Sequence, residues 1–142
     1  MTWWSREPFT SVDEVRDYFG PDAWADSWRC WAITRAGDDR AIGWVATGEK
    51  RQGGVTEIGY VLERAAWGTG IAHEAVSAVI DWLFAGGQRR IFADTDPENA
   101  ASIALLGRLG FKLEGRLRGE WETHIGVRDS LIFGLLAEEW RG

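Results

Sequence analysis

Cysteine is almost missing from this chain. Cys30 is the only one, so no intrachain disulfide and no cysteine-based metal cluster can form. Free cysteines are usually buried, so Cys30 is expected to pack within a strand and not to act as a nucleophile. Long apolar runs are missing too. None approaches the roughly 20 residues of a membrane-spanning helix, and the opening MTWWSREPF has no basic stretch followed by an apolar one. The expected location is therefore cytoplasmic, with no membrane partner. A basic surplus is lacking as well: 16 Lys and Arg stand against 22 Asp and Glu, a formal charge of −6. That excludes the electrostatic footprint of a nucleic-acid binder and suits a cationic substrate such as an amine. Only two histidines are present. His73-Glu74 is followed by Ser77 where an HExxH motif needs its second His, so no metal site is expected. His124 falls in a turn and is expected in solvent.

At 142 residues the chain is expected to form one domain over 1–142 with a sizeable core. Ten tryptophans are unusual for that length. Some must line a cavity, an interface or an aromatic core, and Trp3, Trp4, Trp24 and Trp28 are candidates for the wall of a substrate pocket.

Ser11 followed by Glu14 is a capping-box pattern, and Val12, Val15 and Phe19 mark one face of a short helix ended by Gly20-Pro21. Alternating residues predict strands over 29–34 and 41–46, joined by the turn Gly37-Asp38-Asp39, and a third strand over 55–62. Gly59 inside that strand points to a bulge or to a close approach by another backbone or a ligand. Residues 71–84 carry the strongest helical stripe, with Ala72, Ala75, Val76, Val79, Ile80 and Leu83 at spacings of three and four. A strand over 90–94 follows, and the strand–helix–strand order implies a parallel neighbour. Asn99 leads a second helix to Leu109. Two long strands then run over 111–122 and 128–136 around a turn at 123–126. The expected class is mixed α/β (α+β).

The stretch WGTGIA (67–72) organises this pattern, because its glycines sit where a loop enters the 71–84 helix. The first turn of a helix offers unpaired N–H groups and the positive end of the dipole, which attract phosphate. Glycine lets a bulky anion approach without meeting a Cβ, although a tight turn alone would also call for it. No Lys-Ser/Thr follows, so this is not a Walker loop, and it is not a full GxGxxG fingerprint.

Four pieces in this order and spacing resemble the GNAT superfamily of acyl-CoA-dependent N-acetyltransferases, over roughly residues 30–137. They are EIGYVL at 57–62, WGTGIAHEAV at 67–76, Asn99-Ala100-Ala101-Ser102, and LGFKLEG at 109–115. The narrower resemblance is to the branch of Rim-type ribosomal-protein N-terminal acetyltransferases. It implies a twisted, mostly antiparallel mixed sheet flanked by helices. Acetyl-CoA would be the co-substrate and an amine the acceptor.

The backbone of Gly68, Thr69, Gly70, Ile71 and Ala72 would hold the pyrophosphate, with Trp67 beside it. The strand through Tyr60, Val61 and Leu62 would pair with pantetheine; Tyr60 would pack either on the cofactor or in the core. Asn99 would contact the cofactor arm or simply cap its helix. Ser102 would stand near the sulfur as proton donor or lie on the surface. Glu57 is a candidate base acting through water, and the branch's glutamate on the first C-terminal strand falls on Glu120 or Glu122. Two departures accompany the resemblance. Ala65 replaces the Gln or Arg often found three positions before the first loop glycine. The strand and helix that usually precede a segment like TWWSREPFTSVDEV are not found, so a short or missing first strand is expected, and a homodimer could cover the edge it leaves. The implied reaction is direct acetyl transfer to a protein or peptide N-terminal amine. Small amines (polyamine or aminoglycoside) and a non-catalytic acyl-CoA-binding module are the alternatives.

Overall fold

The computed structural model describes residues 6–20, 28–50 and 53–142. Trp3, Trp4 and Trp24 therefore lie outside the described residues. Helix α1 (Val12–Phe19) starts where Ser11 Oγ accepts the Glu14 N–H at 3.1 Å. Glu14 reaches back one residue further than a capping box, accepting the Thr10 N–H and hydroxyl, each at 2.8 Å. Of its three predicted face residues only Phe19 is covered; Val12 is 65% exposed and Val15 also lies in solvent.

The strands are β1 (Trp28–Ile33), β2 (Gly43–Glu49), β3 (Val55–Leu62), β4 (Arg90–Thr95), β5 (Lys112–Thr123) and β6 (Gly126–Leu136). Helix α2 (Ile71–Ala85) joins β3 to β4, and α3 (Ala100–Arg108) joins β4 to β5. They form one sheet in the order β1-β2-β3-β4-β6-β5, in which only the β3–β4 pair is parallel. The predicted elements are all present, and β2 lies slightly later than expected. The turn His124-Ile125 is exposed, as anticipated for His124.

Pairing register and period-2 alternation give the sheet two faces. One carries Ile58, Ile91, Ala93, Phe133 and Leu135, which pack with Val76, Val79, Ile80 and Leu83 of α2 and with Leu105 and Leu106 of α3. Trp31 belongs to this side and meets Trp82 of α2 edge-on, with ring centroids 5.2 Å apart. The other face carries Trp44, Ala46, Gly59, Phe92, Asp94 and Ile132. There α1 docks through Phe19 against Trp44, with centroids 6.0 Å apart. Cys30 corrects an expectation: its thiol is exposed. The core-facing positions of β1 are Trp31 and Ile33, and Cys30, just before Trp31, sits on the opposite face of an edge strand. Among the described residues no helix is long and apolar enough to cross a membrane.

One ion pair ties the C-terminal hairpin to the loop before α3. Asp96 accepts Arg128 Nε at 2.7 Å and Nη2 at 2.9 Å, and also the Glu98 N–H at 2.8 Å. Its side chain is only 8% exposed. The Arg128 guanidinium holds the Asp96 carboxyl below its ordinary 3.8. A lowered folded value stabilises the fold above the ordinary pKa, and that stabilisation is lost as pH falls through the folded value. Asp96→Asn should therefore lower the melting temperature at neutral pH, and the gap to wild type should narrow as pH drops below 3.8. Melting curves across that range check this; a constant gap would refute it.

Candidate active site

The site begins where two parallel strands part. β3 and β4 pair at Val55↔Arg90, Thr56↔Ile91 and Glu57↔Phe92, and then no further. β3 continues to Leu62 on β2, and β4 continues to Thr95 on β6. Across residues 58–62 the β4-facing backbone groups thus have no strand opposite them. The predicted bulge at Gly59 is not what parts the strands, because the β2–β3 register runs unbroken through Ala46↔Gly59. Gly59 matters in another way: a Cβ there would meet no atom within 4 Å. The gap opens into a cleft of about 2070 Å³. Its lining includes Tyr60 and Ser102 from the helical side and Trp44 and Asp94 from the α1 side, so the gap passes through the sheet.

At one end lies the glycine loop. Gly68 and Gly70 have φ of 72° and 85°, a region that L side chains rarely enter, and nothing lies within 4 Å of where either Cβ would be. Gly70 caps α2 without any side-chain bond, which leaves N–H groups of the first turn free for an anion. Trp67, Gly68, Gly70 and Ala72 line the cleft; Thr69 and Ile71 do not. Thr69 is turned back, its hydroxyl donating to the Ala66 carbonyl at 2.6 Å, and Ile71 packs against the core. Trp67 Nε1 donates to the Leu62 carbonyl at 2.9 Å, which removes one acceptor expected to serve pantetheine. Arg64 and Arg108 also line the cleft. The donor set fits a phosphate-bearing arm.

Along the gap, the Tyr60 and Ser102 hydroxyls lie 2.7 Å apart. Burial pushes the Tyr60 phenol up to about 12, while its bond with Ser102 pulls the other way. Asn99 caps α3 by accepting the Ser102 N–H at 3.2 Å, and it lines the cleft as well. Capping and facing the cleft are thus compatible for Asn99. Val61 and Leu62 complete this wall.

The candidate bases separate. Glu57 lines the cleft but pairs with Lys50 at 2.9 Å, and the Lys50 ammonium lies 5.0 Å from the Trp28 ring centroid. Glu120 is exposed and lines the cleft, whereas Glu122 is exposed and does not. Asp94 and Trp121 line the same cleft and were absent from the candidates. Asp94 is the penultimate residue of β4, whose alternation turns it away from the core, but only the sheet order reveals what it faces. Among the described residues no group of three or more His, Cys, Asp or Glu could hold a metal ion.

The family model of the acetyltransferase (GNAT) domain matches residues 1–112. This chain belongs to the GNAT family. The N-acetyltransferase p20 of Bacillus licheniformis, itself uncharacterized, is 42% identical over 93 residues, covering 65% of this chain and 52% of the relative. Mycobacterium smegmatis RimJ, solved in complex with CoA-disulfide, superposes with a TM-score of 0.78 at 30% identity, covering 96% of this chain and 70% of RimJ. The ribosomal-protein-S5-alanine acetyltransferase of Vibrio fischeri gives 0.67 at 28% identity, over 72% of this chain and 58% of that one. The GNAT chain spans about half the length of the curated relatives it matches, from 42% to 56%. Acetyl-CoA is the co-substrate of the family, and RimJ holds a CoA derivative.

Two glycines of this GNAT site should respond differently to the same change. Gly70→Ala places a side chain at φ 85° and should cost about 1–2 kcal/mol of unfolding free energy, although nothing clashes. Gly59→Ala has open space and no positive φ, so stability should hold or rise by up to about 1 kcal/mol. Urea unfolding of both variants measures the difference; equal losses would contradict it.

Proposed function

We propose that this chain is a one-domain N-acetyltransferase that moves the acetyl group of acetyl-CoA directly to the N-terminal amine of a protein or peptide. The supporting observation is the gap between β3 and β4, with a glycine cradle at one end and the Ser102–Tyr60 pair along it. The N–H groups of residues 68–72 would hold the pyrophosphate. The edge of Tyr60, Val61 and Leu62 would take the pantetheine arm as if it were a strand, between Trp67 and Asn99.

Acetyl-CoA supplies the thioester. The neutral amine attacks the carbonyl carbon, the new C–N bond forms, and the C–S bond breaks. Ser102 donates its proton to the leaving thiolate and regains one through Tyr60, whose phenol is in turn restored from solvent by a proton equivalent to the one the nitrogen releases. Burial disfavours the Tyr60 phenolate, so Tyr60 relays a proton only as another replaces it. The nitrogen's surplus proton leaves to solvent on the acceptor side, where Glu120, which lacks a cation among the described residues, supplies negative potential and Glu57 is tied to Lys50. A terminal α-amine, with a pKa of about 8, is roughly one-tenth neutral near pH 7. A lysine amine, near 10.4, is neutral about a few hundredfold less often. A site whose Glu57 is tied to Lys50 therefore suits the α-amine. The similar Vibrio fischeri enzyme, whose name specifies an alanine of a ribosomal protein, supports a protein acceptor.

The same reading carries a cytoplasmic location. It also carries a homodimer through the β1 edge, whose outer side has no strand among the described residues. Free thiol should appear when the protein meets acetyl-CoA with short peptides bearing free N-termini, and faster than with lysine or polyamines. Ser102→Ala should lower kcat by about a hundredfold and leave the affinity for acetyl-CoA unchanged. Thermal stabilisation by acetyl-CoA without amine-dependent thiol release would instead identify an acyl-CoA-binding module. Faster turnover of polyamines or aminoglycosides would identify a small-amine enzyme.

A further inference from the structure

The carboxylates of the cleft differ in their partners. Glu57 is paired with Lys50, Glu63 with Arg40, Asp96 with Arg128 and Asp129 with Arg116, at 2.6–2.9 Å. Asp94 has no cation among the described residues. Its Oδ2 accepts Trp121 Nε1 at 3.0 Å, and its Oδ1 accepts the hydroxyl of the fully buried Ser130. Both donors are neutral, so they orient the carboxylate without cancelling its charge. The other unpaired acids lining the cleft, among them Glu120, are exposed and lack such bracing.

Asp94 also occupies a particular level of the gap. The last β3–β4 rung is Glu57↔Phe92, and extending that register by two residues brings Asp94 level with Gly59. One wall there carries a carboxylate; the other carries no side chain and has open space in front of it. Asp94 faces the α1 side of the sheet with Phe92 and Ile132, whereas Ser102 and the glycine cradle lie on the helical side. It therefore stands where the gap opens onto the face opposite the cradle. Trp121 lies beside it, half of its surface free, and its ring is a second surface suited to a cation.

We propose that Asp94, braced by Trp121 and Ser130, receives the acceptor's ammonium group before that group gives up its proton. The substrate class is then a cationic primary amine and not a neutral nucleophile. This inference rests on the acetyltransferase reading, and its tests separate the two. In thiol-release assays, Asp94→Asn should raise KM for a short peptide with a free N-terminus by about ten- to hundredfold. It should leave KM for a neutral arylamine and the affinity for acetyl-CoA unchanged. Trp121→Phe keeps the charge and should raise the peptide KM by a smaller factor. An unchanged KM in Asp94→Asn, an equal rise for the arylamine, or a Trp121→Phe effect as large as that of Asp94→Asn would overturn the proposal. Failure of the wild type to release thiol with any amine would overturn the acetyltransferase reading instead. Asp94 can then still be judged by calorimetry of the same peptide on the CoA-saturated protein. Weaker binding to Asp94→Asn supports the ammonium site. Equal binding overturns it, as does a wild type that binds the peptide no better than its uncharged N-acetyl form.

Discussion

Everything distinctive about this molecule depends on two parallel strands that stop pairing after three rungs. Backbone N–H and C=O groups are costly to leave unpaired, so a sheet does not open without support. Here each strand is paired along its other side, β3 to β2 as far as Leu62 and β4 to β6 as far as Thr95. The aliphatic layer of α2 and α3 packs against both from one face. The opening is thus held apart by the outer pairings and needs no local distortion of its own. Both helices that flank it begin beside it, α2 at Gly70 and α3 at Asn99. One topological event therefore supplies a row of unpaired backbone groups and two helix N-termini along the same cleft.

Much of this was legible in the sequence because it is local. Ser11 and Asn99 announce helix starts by side-chain chemistry, and the apolar stripe of α2 announces which face is buried. The glycines of the loop announce backbone that other residues cannot adopt. The parts that were not legible are relational. Gly59 in the sequence points to a bulge or to a close approach, because a strand glycine is ambiguous; the strands part without a bulge, and the missing side chain leaves space in the gap. Cys30 was expected inside, but position in an edge strand, which depends on sheet order, decides its exposure. Glu57 looked like a free base until its strand register placed it beside Lys50. Asp94 needed the β4–β6 pairing and the bond from Trp121, 27 residues away, before it had any surroundings to interpret.

The net charge of −6 is likewise a poor guide to the cleft taken alone. Four acids of its lining are paired with Lys or Arg, and such pairs present little unbalanced charge to a ligand. Arg64 and Arg108 even place positive charge on the lining, where phosphates would be welcome. Negative potential for an amine must therefore come from particular carboxylates that lack cations, and not from an acidic surface in general.

The placement of the single cysteine closes an argument about mechanism. A covalent acetyl-enzyme would need a nucleophile facing the gap, and a thiolate is the side chain best suited to attack a thioester. Cys30 lies on β1, separated from β3 by β2, and takes no part in lining the cleft. The hydroxyl that does face the gap, on Ser102, has a phenol as its partner and not a base. Burial keeps that phenol protonated, so it is not a base that could activate the hydroxyl. A hydroxyl without a base beside it is a poor nucleophile, which favours the direct attack by the amine that we propose.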